Sequence, residues 1–347
     1  MSHSKFEPSR AGRSALVRRR DGGCEFLFGD TPMNKLKRVA LTAIVSLLFV
    51  PISNPKTPDG KALALLMAGT PSHGPGAHEY NAGVLLLAKC LAQGAPNLVV
   101  RTYLNGSWPS PEDLASMDTI LFYCDGGEGH LLLKHGRIAQ VAREMSRGAG
   151  FVALHYAVEF PADQGGRQAL QWMGGYFEVY WSVNPVWKAK YAELPKHPVT
   201  HGVRPFSSVD EWYFHLRFDE EGGRLTPILV DVPPAGTMSR PDGKYSGNPA
   251  VRAEVASGKP QITAWAFQRK EGGRGFGFTG GHYHSGWANR DQRKLVLNAI
   301  LWTAGVEVPA GGVESTVTAD DLRANLDPKP ATKPNPPNPT FSNRSTP

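Results

Sequence analysis

The chain has 347 residues, 41% hydrophobic and 20% charged, with 38 glycines and 29 prolines in no Gly-X-Y period, so it is neither collagen-like nor disordered throughout and can bury a core. Three cysteines, Cys24, Cys90 and Cys124, supply neither an even disulfide set nor a C-x-x-C pair. The formal charge of +7 lies mostly at the front, where residues 1–60 hold ten Lys and Arg against five acids; no basic stripe with interleaved aromatics follows, so nucleic acid is not an expected partner.

Residues 1–32 precede Met33 and read as an over-extended or disordered N-terminus. In residues 33–59, basic Lys35-Leu-Lys-Arg38 leads into an apolar run, 39–52, a signal-peptide pattern starting near Met33. That run is shorter than the roughly 20 apolar residues of a spanning helix. The expectation is export to the periplasm or medium without stable membrane insertion, with an uncleaved anchor as the other reading, because no clean A-x-A site follows. The body is placed at 60–325, and the Pro-rich residues 326–347 are expected to be a disordered tail.

Within the body a strand is predicted at 62–68, then a helix from about His78 whose Val84, Leu87, Ala88 and Leu91 fall on one stripe. A strand at 98–104, a short helix near 111–116 and a strand at 119–124 follow. Ile138, Val141, Ala142 and Met145 mark a third helix, closed by Gly148. Further strands are predicted at 150–157, 226–232, 261–267 and 275–279, and Asn289 caps a last helix over 290–304. Alternating strands and helices predict a doubly wound α/β fold with a mainly parallel sheet.

In such a sheet ligands lie beyond the carboxyl ends of the strands. Four predicted strand ends run into His73 and His78, Asp125 and Glu128, His155 and Tyr156, and His282 and His284. Imidazoles titrate near neutrality and suit general acid–base work. Together with Glu128, Glu159 or Glu211 they would also suffice for zinc with an open position, although no H-E-x-x-H spacing is present. Cys124 ends an apolar strand and reads either as a thiol at the site mouth or as a buried, inert one. Asp210-Glu211-Trp212-Tyr213-Phe214 reads as a sugar-binding cluster of acids and aromatic faces or as a strand edge.

Six segments, Ser72–Glu79, Tyr123–His130, Ala153–Glu159, His197–Gly202, Asp210–Phe214 and Gly275–His282, together resemble the ThuA-like, or trehalose-utilisation, family over about residues 60–325. The resemblance implies a flavodoxin-like sheet like that of class I glutamine amidotransferases. Where those enzymes carry Cys at the strand-to-helix elbow this chain has His155, so glutaminase activity is not expected. It also implies sugars or keto sugars as substrates and a sugar dehydrogenase as functional partner. The resulting expectation is acid–base chemistry on a glycoside or keto-glycoside. His155 and His282 serve as acid and base with Glu211 in the catalytic set, and His73, His78, Asp125, Glu128, Tyr156, Trp212 and His284 bind substrate. A carbohydrate-binding protein without turnover and a metal-dependent hydrolase, with zinc as cofactor, are the alternatives.

Overall fold

The computed structural model describes residues 60–219 and 221–330. The N-terminal segments read from the sequence as an extension and a signal peptide lie outside the described residues, as does the tail beyond Pro330.

The first half holds the predicted elements in the predicted order: β1 (Ala62–Ala68), α1 (Tyr80–Gly94), β2 (Leu98–Tyr103), α2 (Pro111–Ser116), β3 (Thr119–Tyr123), α3 (Arg137–Ser146) and β4 (Gly150–Leu154). Of these strands β1, β3 and β4 are apolar on both faces, as strands covered on two sides must be, while the edge strand β2 is only partly covered. In β1, Leu63, Leu65 and Met67 join the core under α2 and α3, while Ala64, Leu66 and Ala68 join the opposite core under α1. Ser110 accepts from the Asp113 amide and Pro111 opens α2, two features that start a helix at that point.

The second half holds α4 (Arg167–Met173), β5 (Gly175–Tyr176), β6 (Val186–Tyr191), β7 (Phe206–Glu211), β8 (Arg217–Phe218), β9 (Gly223–Asp231), α5 (Pro249–Ala256), β10 (Gln261–Arg269), β11 (Arg274–Phe278), α6 (Arg290–Thr303) and α7 (Ala319–Arg323). The main sheet has the order β2-β1-β3-β4-β11-β10-β9. β2, β1, β3, β4 and β11 are mutually parallel, β10 runs antiparallel to them, and β9, antiparallel to β10, points the same way as the parallel set. Its order reverses between β1 and β3, which opens a crevice at the carboxyl ends. The β6–β7 hairpin lies outside that sheet and ends on Glu211. Asn289 caps α6 through the amides of Asp291 and Gln292.

Two expectations are corrected. The fourth strand stops at Leu154 rather than 157, because His155 has φ +53° and turns the chain into a short 3-10 segment, His155–Val158. The boundary at 325 also falls too early, because Asp327 and Lys329 dock against the loop that enters α1 through Glu79.

Candidate metal centre

The parallel strands bring their following loops to one edge, and side chains from the loops after β1, β4 and β11 meet there. His78 and His282 are joined by backbone pairing: the His78 amide donates to the His282 carbonyl at 2.9 Å, and the His284 amide donates to the Gly76 carbonyl at 2.9 Å. Asp210, wholly buried, accepts from the amides of Gly281 and His282 at 2.7 and 3.0 Å and so fixes the loop that presents His282. Burial pushes the Asp210 carboxyl up to about 6, against the pull of the amides it accepts from.

Four ligating atoms converge: one nitrogen each from His78, His155 and His282 and one oxygen of Glu211, all within 4.8 Å of one another. His78 Nε2 lies 2.9 Å from His282 Nδ1 and 3.1 Å from His155 Nε2, and the latter two are 3.3 Å apart. Glu211 Oε2 is 3.3 Å from His282 Nδ1 and 3.7 Å from His155 Nε2. Zinc with Zn–N bonds of 2.0–2.1 Å requires tetrahedral edges of about 3.3–3.4 Å, and these separations lie close to that figure.

The outer contacts suit the same use. His155 Nδ1 faces the Thr279 carbonyl at 2.8 Å, which holds the proton there and leaves Nε2 bare. His78 Nδ1 is 2.5 Å from the Tyr80 hydroxyl oxygen, and that hydroxyl donates to Asp125 at 2.8 Å. Burial lowers His78 to about 4 and His155 well below the usual range, so both rings are neutral and can donate lone pairs. The two bare nitrogens of His78 and His155, 3.1 Å apart, repel unless a proton, such as one on His282 Nδ1, or a cation lies between them. His78, at φ +49°, and His155 hold left-handed backbone conformations, of a kind that clusters at functional sites.

A cavity of about 160 Å³ opens over the cluster, lined by His78, Glu211, His282, Tyr156, Tyr213 and Glu159. A second, of about 470 Å³, shares His73, Tyr156, Glu159 and Tyr245 with it and adds the Asp125–Gly129 loop and Lys244. Joined, they fall within the range of small-molecule sites, about 300–1,000 Å³. Gly126 makes this packing possible, since a Cβ there would stand 2.2 Å from the Tyr156 carbonyl oxygen.

Among the expected substrate residues, His73, Asp125, Glu128 and Tyr156 line this space, with His73 stacked on His78 at 3.6 Å between ring centroids. Trp212 does not. It is wholly buried, donates to the Ser208 carbonyl and packs on Phe278, because β7 ends at Glu211 and the chain turns Trp212 into the core. His284 is buried along a third cavity of about 650 Å³, which shares His73 and His282 with the site and is bordered by Leu322 and Leu326. Cys124 is buried with its thiol pushed up to about 12, an inert thiol rather than a nucleophile. The residue missed as an acid or base is Glu159. It borders both cavities, accepts from the Tyr245 hydroxyl at 3.2 Å and is pushed up to about 7 by burial. Its position four residues after a strand-end histidine was the available signal.

These features define a doubly wound α/β protein with a three-histidine, one-carboxylate cluster at its strand ends. A family model described as trehalose utilisation, ThuA, matches residues 65–303, and the chain belongs to that family, which ties it to carbohydrate use. Among solved structures, a ThuA-like protein from Bacteroides uniformis matches 72% of this chain and 95% of its own at 16% identity with a TM-score of 0.50, a likeness of fold. A ThuA-like protein from Parabacteroides merdae also matches, over 75% of this chain and 94% of its own, with 14% identity and a TM-score of 0.45. So does the CTPS glutaminase domain of Trypanosoma brucei with bound acivicin, over 73% and 98%, with 10% identity and a TM-score of 0.37. No curated protein gives a significant match.

Proposed function

We propose that the protein is a metal-dependent enzyme acting on a sugar or keto sugar, with His78, His155, His282 and Glu211 holding a divalent cation. The convergence of those four ligating atoms carries the reading. The donor set, imidazoles with one carboxylate, suits zinc; with four protein donors engaged, a substrate oxygen would enter as a fifth ligand, an expansion that zinc tolerates. When bound, the cation would supply Lewis-acid polarisation of a substrate oxygen.

The chain's own groups divide the remaining work. His155 and His282 act as ligands rather than as acid and base, because His155 Nδ1 is spent on Thr279 and both inward nitrogens lie in the cluster. Glu159 takes the acid–base part: with a carboxyl near neutrality at the junction of the two cavities, it can accept a proton from a C–H next to a keto group and return it. Asp125, Tyr156 and His73 offer hydrogen bonds to hydroxyls along the larger cavity.

The test is elemental analysis of protein purified without chelator, followed by product assays on 3-keto-trehalose and trehalose. About one equivalent of zinc and chelator-sensitive turnover support the reading. A protein that stays metal-free under added zinc overturns the metal assignment, and sugar binding without turnover makes the chain a carbohydrate-binding protein.

A further inference from the structure

The loop that delivers His78 is held by a residue from the far end of the chain. The side chain of Lys329 is buried, and its ammonium lies 3.2 Å from Oε1 of the equally buried Glu79 side chain. The same Nζ reaches the carbonyls of Gly74 at 3.5 Å, His78 at 3.1 Å and Ala77. Glu79 Oε1 accepts from the Gly76 amide at 2.7 Å, and its Oε2 accepts from the Asp327 amide at 2.8 Å. Asn81, in the first turn of α1, donates to Asp327 Oδ1 at 2.5 Å. Apart from Asn105, which pairs with the Asn81 side-chain amide, the polar groups of this knot belong to residues 74–81 and 327–329.

Burying a lysine and a glutamate together costs desolvation that the mutual attraction only roughly offsets. Apolar residues would fasten a tail more cheaply. What the pair adds is directionality: one ammonium gathers carbonyls on both sides of His78, the residue held at φ +49°. The next residue in the chain after His78 is Glu79 itself. The matched family region ends at 303, so these contacts come from a part of the chain beyond it.

We propose that residues 324–329 form a strap that belongs to the centre, with Lys329 as a positioning residue that sets the His78 backbone so that Nε2 meets His155 and His282. The inference rests on the metal reading given above. Its consequence is that zinc affinity depends on a residue that touches no ligating atom. Groups that orient ligands typically cost 10–100-fold in metal affinity when removed.

The experiment compares the full chain with Lys329→Met and, in case the single variant fails to fold, with the double variant Glu79→Gln/Lys329→Met, which removes both charges of the Glu79–Lys329 pair. Zinc affinity is read by competition with a chromophoric chelator, and folding by far-ultraviolet circular dichroism and thermal unfolding of the metal-free protein. The expected result is folded double variant with zinc binding 10–100-fold weaker. Full-chain affinity in the double variant, with only its melting temperature lowered, would make Lys329 a plain structural anchor and overturn the strap. A full chain that binds no zinc brings down the metal reading as well, an outcome separable from the former.

Discussion

His130 and His155 occupy the segments after neighbouring strands, β3 and β4; both are wholly buried and both face a backbone carbonyl, yet one closes a core and the other enters a centre. His130 has no nitrogen to spare: Nε2 faces the Ala157 carbonyl at 3.1 Å and Nδ1 accepts from the Leu132 amide at 3.0 Å. Its ring packs against Phe160 at 4.3 Å between centroids. His155 spends Nδ1 on Thr279 and aims Nε2 at His78 and His282. Burial lowers both, His130 to about 3, so a depressed pKa does not separate them. The unspent nitrogen does.

Substituting each histidine by alanine breaks the comparison most sharply. His155→Ala should weaken zinc binding more than 100-fold, beyond the reach of an added-zinc titration, because it removes a ligand from a four-atom set. His130→Ala should leave zinc stoichiometry unchanged and lower unfolding free energy by about 2–4 kcal/mol, through the cavity and the Leu132 amide left without its acceptor. Metal titration and urea unfolding of the two variants side by side check both halves. Loss of zinc in His130→Ala would erase the distinction.

Glu159 lies where the two regions meet, four residues after His155, with its carbonyl accepting from the Gly127 amide at 3.0 Å in the loop that leads to His130. Its folded pKa of about 7 exceeds the ordinary 4.5, because burial disfavours the carboxylate. Between those two values the folded protein binds the extra proton, so this group's contribution falls as pH rises from 4.5 to 7. Glu159→Gln mimics the protonated form and should gain stability relative to the parent across that window, on the order of 3 kcal/mol at most. Melting temperatures of both proteins at pH 5 and pH 8 check it. An equal difference at the two pH values would mean that Glu159 ionises freely.

The contrast also explains which parts could be read in advance. Strands covered on both faces are short apolar runs, so β1, β3 and β4, and with them the strand-end places of Asp125 and His155, follow from hydrophobic pattern alone. The gathering of His78 with His282 depends on backbone pairing between residues about 200 apart, which leaves no local mark. Trp212 was misplaced because the sequence does not show that β7 ends one residue earlier. The elements between β4 and β9 are brief or polar on alternate positions: β5 and β8 have two residues each, and β6 alternates exposed and buried ones. Lys329 sits among prolines, a composition that reads as tail, and only its partners some 250 positions earlier give it a place in the fold.

The finest test concerns how an imidazole keeps one nitrogen unspent. His78 Nδ1 contacts the Tyr80 oxygen at 2.5 Å, whereas Asp125 Oδ1 stands 3.6 Å from that nitrogen; the phenol is the link, taking the His78 proton on its oxygen and giving its own proton to the carboxylate. Ser72 also donates to that Asp125 oxygen, at 2.7 Å, which holds the acceptor in place. Tyr80→Phe keeps the buried ring and removes only the link, so the fold should persist while the His78 tautomer is no longer enforced. The expected cost is about tenfold in zinc affinity, near 1.4 kcal/mol, at the low end for groups that orient ligands. Chelator competition on Tyr80→Phe measures it. Unchanged affinity would show that Asp125 or the loop backbone suffices to orient His78, and the difference between His130 and His155 would then rest on direct contacts alone.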